Sequence, residues 1–120
     1  MKINAFAASS AGKTLEPFQY DCPDPQDHEV QIKISHCGIC HSDIHLIDND
    51  WKMSQYPLVP GHEIVGTISA LGKDVKHLHK GQRVGVGWQR GACMECEWCI
   101  KGQENLCAKN EPVTVTHHGG

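Results

Sequence analysis

The chain has 120 residues, of which 39% are hydrophobic and 21% charged, a composition that suits one folded domain and argues against disorder. A mild formal charge of -3, from 11 basic and 14 acidic side chains without a basic cluster, gives no support to a nucleic-acid partner. No apolar run approaches the roughly 20 residues that cross a bilayer, and the N-terminus lacks the basic-then-apolar layout of a signal peptide. The expectation is a cytoplasmic protein with no membrane partner. In a reducing compartment, seven cysteines and nine histidines point to metal chemistry rather than disulfides.

The first half reads as β-rich. Residues 2–7 alternate polar and apolar side chains, and Ser9-Ser10-Ala11-Gly12 follows as a turn. Residues 15–20 form a weaker strand, with Pro17 suiting it to an edge. Residues 29–34 alternate strictly and put Val30, Ile32 and Ile34 on one face. Residues 40–48 suit a short helix with Ile44, Leu46 and Ile47 as its apolar surface. Residues 64–71 are a further strand, where Gly66 marks a bulge or a close backbone approach. Residues 83–86 alternate again. From 91 to 110 the periodicity vanishes and four cysteines appear. Many short strands with Gly and Pro turns predict a mainly β, barrel-like domain with a metal-stapled loop.

Cys93, Cys96, Cys99 and Cys107 give the spacing C-x2-C-x2-C-x7-C. Thiolates two residues apart can turn toward one centre, and four complete a closed tetrahedral zinc site with no open position for chemistry. So short a stretch cannot build a core, so metal binding would supply its folding free energy. The same start opens an iron–sulfur run, but that run continues with three residues, a fourth Cys and a Pro, whereas seven residues and Ala108 stand here. A structural zinc lobe over about residues 91–110 is the expectation.

A second cluster lies upstream: Cys37, Cys40, His41, Asp43 and His45, then His62 and Glu63. A catalytic zinc needs an incomplete protein ligand set, and one thiolate with one imidazole and a third ligand would meet that need. Asp43 and Glu63 are natural carboxylates to orient a ligating imidazole. Taken alone, Cys37 and Cys40 also suit a zinc knuckle or a redox dithiol.

Gly38-Ile39-Cys40-His41-Ser42-Asp43-Ile44-His45, then Tyr56-Pro57-Leu58-Val59-Pro60-Gly61-His62-Glu63, then Gly81-Gln82-Arg83-Val84-Gly85-Val86-Gly87, then the four-cysteine lobe, resemble zinc-dependent medium-chain alcohol dehydrogenases. The resemblance runs from about residue 2 to 107 and is nearest the cinnamyl alcohol dehydrogenase and broad-specificity aldehyde reductase branch. It implies a chaperonin-10-like (GroES-like), partly open barrel with short helices. It also implies a catalytic zinc on Cys40 and His62 with a third ligand outside this chain, and a structural zinc on Cys93, Cys96, Cys99 and Cys107. That makes two zinc ions per complete subunit.

On the same resemblance Asp43 braces the imidazole ligand and Glu63 is the acid beside the metal. Ser42 begins and His45 ends a proton relay, and His41 lies near the cofactor pyrophosphate. Cys37 is a packed thiol. Trp51 and Trp88 suit either a substrate pocket or the core. The implied reaction interconverts primary alcohols and aldehydes by hydride transfer, with NADP(H) ahead of NAD(H), in an enzyme that is a homodimer at full length. No Gly-x-Gly-x-x-Gly follows a strand, and no Cys follows Cys107. The expectation is therefore the N-terminal part of the catalytic domain over residues 1–120, without the nucleotide-binding domain and inactive alone. The alternative is a stand-alone zinc-binding GroES-like module. His117-His118-Gly119-Gly120 resemble the approach to a further strand.

Overall fold

The computed structural model describes residues 1–116; the four residues beyond, read above as the approach to a further strand, lie outside the described residues. The alternating segment at the N-terminus forms β1 (Lys2–Ala7), which pairs antiparallel with β2 (Glu16–Asp21). Ala5 stands opposite Phe18, and Pro17, which cannot donate to a ladder, lies on a strand whose single partner is β1. A two-stranded sheet supplies that edge position.

A three-stranded sheet follows, in the order β3-β4-β5, from β3 (Val30–Gly38), β4 (Glu63–Leu71) and β5 (Arg83–Val86). Ile64 and Ile68 of β4 are buried, and Gly66 sits between them on the same face. A Cβ there would overlap the carbonyl oxygen of Lys33 and come 2.7 Å from Cγ2 of Ile32. Gly66 thus marks a close backbone approach, and the irregularity lies in the partner strand, where the register shifts between Ile34 and His36. That shift breaks the expected alternation of β3. Ile34 is 51% exposed instead of sharing a covered face with Val30 and Ile32.

Helix α1 (His41–Asp48) ends at Asn49, whose left-handed φ of 59° suits an asparagine side chain. Leu46 is its one fully buried apolar residue, while Ile44 faces out. The following loop grips the last turn: the Ser54 hydroxyl donates to the Leu46 carbonyl at 2.6 Å and the Tyr56 hydroxyl to the Ile47 carbonyl at 2.7 Å. Farther on, Leu58 exchanges two 2.9 Å backbone hydrogen bonds with Ala8. Among the described residues, Ala7, Ala8, Leu46, Leu58, Val59, Ile64, Ile68 and Val113 are the buried apolar ones outside the cysteine lobe.

A pair of very short strands that sequence patterning does not reveal, β6 (Gln89–Gly91) and β7 (Glu111–Pro112), brackets the cysteine lobe at entry and exit. Arg90 fastens the bracket, reaching Glu111 at 3.3 Å and Glu29 at 3.4 Å. Inside it lie α2 (Glu97–Ile100) and a 3-10 turn (Glu104–Leu106); α3 (Val113–Thr116) follows the exit strand. The fold is mainly β with short helices, as expected, but the strands do not close into one barrel: among the described residues they form three separate sheets. No helix of the described residues is long and apolar enough to cross a membrane.

Candidate metal centres

The sulfurs of Cys93, Cys96, Cys99 and Cys107 all lie within 4.8 Å of one another. The Cys93 and Cys99 sulfurs are 3.8 Å apart, and sulfurs on two corners of a tetrahedron with bonds of about 2.3 Å would stand about 3.8 Å apart. The positive φ of Met94 (60°) and Gly102 (73°) lets the loop turn back on itself. Backbone N–H groups point at the sulfurs: Cys96 donates to Cys93 at 3.3 Å, Lys109 to Cys107 at 3.3 Å, and Cys93 to Cys107 at 3.5 Å.

The electrostatics are uneven. Backbone hydrogen bonds from Glu95, then Cys96, pull the Cys93 thiol down to about 6. Burial, then the hydrogen bond to the Cys96 side chain, pushes the Cys99 thiol up to about 12. In this half-buried to buried quartet a bound cation would offset the repulsion between neighbouring thiolates. Geometry and chemistry both fit zinc, and all four donors are filled from within the lobe.

The second centre forms where α1 begins and β4 begins. Donor atoms of Cys40, His62 and Glu63 lie within 4.8 Å of one another, with His62 buried, Cys40 half-buried and Glu63 exposed. Asp43 organises the group from the first turn of α1. Its Oδ2 accepts the Cys40 backbone N–H at 3.0 Å, while its Oδ1 stands 3.1 Å from Nδ1 of His62 and accepts the Gly61 N–H at 3.2 Å. One buried carboxylate thereby fixes both the thiol-bearing and the imidazole-bearing segments and leaves the other ring nitrogen of His62 free to ligate. The Thr114 hydroxyl donates to the Gly61 carbonyl at 3.0 Å and braces the same loop from α3. A thiol, an imidazole and a carboxylate suit zinc with a position left open.

Of the other residues singled out in the sequence, Ser42 places its hydroxyl 3.6 Å from the Cys40 sulfur. His41 and His45, one helical turn apart, approach to 4.7 Å between ring centroids. An aromatic chain continues from His45 to Trp51 (5.2 Å), to Trp88 (6.2 Å) and back to His62 (5.1 Å), so Trp88 packs against the centre and Trp51 behind it. Cys37 departs from expectation. It is exposed, donates weakly to the Gly38 carbonyl at 3.6 Å, and its sulfur would stand 2.8 Å from a Cβ on Gly61. Its position at the exposed end of β3 accounts for this.

Sequence reasoning missed Asp50, whose Oδ2 is 2.7 Å from Nδ1 of His45. The signal was present in the polar Asp48-Asn49-Asp50 run that ends the helix, where the left-handed Asn49 turns Asp50 back toward His45. It missed Arg90 as well, because a lone arginine before a cysteine lobe carries no spacing pattern.

A four-thiol cluster able to hold zinc and a separate thiol–imidazole–carboxylate cluster thus lie on one small β domain. The model of the alcohol dehydrogenase GroES-like domain matches residues 26–120, and the chain belongs to that family. An aldehyde reductase of Synechocystis sp. is 49% identical over 118 residues, which is 98% of this chain and 35% of the relative. Among solved structures, a cinnamyl alcohol dehydrogenase from Sorghum bicolor superposes with a TM-score of 0.87 at 38% identity, over 100% of this chain and 35% of that one. CAD from Helicobacter pylori, complexed with NADP(H), superposes with a TM-score of 0.90 at 37% identity, over 96% of this chain and 34% of that one. The chain spans about a third of the length of the curated relatives it matches.

Proposed function

We propose that the chain is the zinc- and substrate-binding part of an oxidoreductase that interconverts primary alcohols and aldehydes with NADP(H). The observation that carries this reading is the convergence of Cys40, His62 and Glu63 within 4.8 Å, with His62 held by buried Asp43, inside a domain of the alcohol dehydrogenase family. When bound there, zinc supplies Lewis acidity to the substrate oxygen.

The protein groups divide the remaining work. Cys40 and His62 hold the metal and Asp43 orients the imidazole. Ser42, beside Cys40 on the first turn of α1, offers a hydroxyl to the reacting oxygen. His45, three residues on and so on the same helix face, carries the proton outward to Asp50, which is half exposed. His41, at the start of the helix, faces the cofactor pyrophosphate. Trp51 and Trp88 form the apolar wall that excludes water from the substrate. The NADP(H) preference and a homodimeric full-length enzyme rest on resemblance, the former supported by the NADP(H)-bound neighbour.

The test is NADPH oxidation with a series of primary aldehydes by the protein that carries this chain. Turnover that falls by at least about 10²-fold on Ser42→Ala, with zinc content unchanged, is expected. Full activity in that variant, or no aldehyde reduction in the wild type, contradicts the proposal.

A further inference from the structure

Gly38 is the last residue of β3 and stands directly opposite Glu63, the first residue of β4. Side chains at opposed positions of an antiparallel pair leave the sheet on the same side. Gly38 has none, and the Glu63 side chain occupies that volume: a Cβ at Gly38 would overlap Oε2 of Glu63, stand 3.3 Å from its Cδ and 3.0 Å from its Cβ. The carboxylate that fills the space left by Gly38 is the same one that comes within 4.8 Å of the Cys40 and His62 donors.

We infer that Gly38 is a positioning residue for the second metal centre, whose missing side chain lets the Glu63 carboxylate swing in as a third donor beside Cys40 and His62. The inference rests on the reading of Cys40 and His62 as metal ligands. An alanine here meets first the far end of a flexible side chain on an exposed residue, and Cβ of Glu63 at 3.0 Å asks only a few tenths of an ångström of the strand pair. The alanine is costly for the centre, because relief of the overlap carries the carboxylate away from the other donors.

The experiment uses the whole chain with one equivalent of zinc added first, which fills the four-thiol lobe, followed by Co(II) titration read by thiolate-to-cobalt and d–d absorption. The wild type is expected to take up one further cobalt. Gly38→Ala should bind that cobalt at least about tenfold more weakly, with altered d–d bands and unchanged lobe zinc. Glu63→Ala should show the same loss, and the double variant no further loss, since the alanine methyl then has no carboxylate to displace. A Gly38→Ala protein that binds like wild type overturns the role of Gly38 alone. Additive losses in the double variant, or loss of lobe zinc and strand structure by Gly38→Ala in both backgrounds, assign the glycine to the fold and overturn it too. A wild type that takes no second cobalt overturns this inference together with the reading beneath it.

Discussion

Asp43 reaches across from the first turn of α1 to stand 3.1 Å from Nδ1 of His62, nineteen residues later in the chain, and both side chains are buried. The same carboxylate accepts the backbone N–H of Cys40, so the two metal-binding segments share one anchor. Hydrogen bonding between chain segments thereby holds the thiol-bearing and imidazole-bearing segments together, which is what a pre-organised ligand set requires.

Replacing that anchor by its uncharged isostere isolates its effect. Asp43→Asn keeps the size of the side chain but presents an amide to Nδ1 of His62. The affinity of the second centre is expected to fall about 10- to 100-fold, measured by chelator competition, while the lobe keeps its zinc. Loss of lobe zinc as well would show that Asp43 supports the fold as a whole.

The metal-free lobe should react unevenly with an alkylating reagent. With its thiol lowered to about 6, Cys93 is largely thiolate at pH 7, while Cys99, raised to about 12, is protonated. After chelation, mass spectrometry should find Cys93 labelled first and Cys99 last. Labelling of Cys93 should slow as the pH drops below about 6, where its thiolate takes up a proton. Zinc should protect all four. Equal rates at Cys93 and Cys99 would contradict the structure.

Asp50 and His45 form a pair that carries a prediction of its own. Asp50→Asn removes the anionic acceptor 2.7 Å from Nδ1 of His45 without touching either zinc centre. Turnover by the protein that carries this chain should fall, with a changed pH profile and unaltered zinc content. An unchanged pH profile would remove Asp50 from the proton route.

The small core makes single residues expensive to lose. Leu58 is 2% exposed and sits where the Ala8 bridge joins the loop leading to His62. Leu58→Ala should destabilise the zinc-loaded chain by about 2–5 kcal/mol in denaturant titration. A change under about 1 kcal/mol would mean that the site collapses without leaving a cavity.

Much of this was legible in the residues because two kinds of signal are local. Period-two alternation marks β1 and the start of β3, and cysteines two residues apart mark the lobe. The rest depends on pairing across the chain. β6 and β7, with three and two residues, are too short for any period to show. The end of β3 was hidden because its register slips between Ile34 and His36, which breaks the alternation before the strand ends at Gly38. Asp43 was readable as a carboxylate near the ligands, but its simultaneous hold on Cys40 and His62 exists only once α1 and the loop before β4 meet. Gly38 reads as part of a motif; its reason is visible only with Glu63 opposite it.

Two distinct donor clusters on one chain call for two metal centres. Elemental analysis of purified chain, wild type beside Cys40→Ser, tests this most directly. With both clusters read as zinc sites, the expected result is about two zinc ions per chain, falling to about one in the variant. About one in both would contradict a second centre built on Cys40 and His62, and none in either would contradict the four-cysteine site itself.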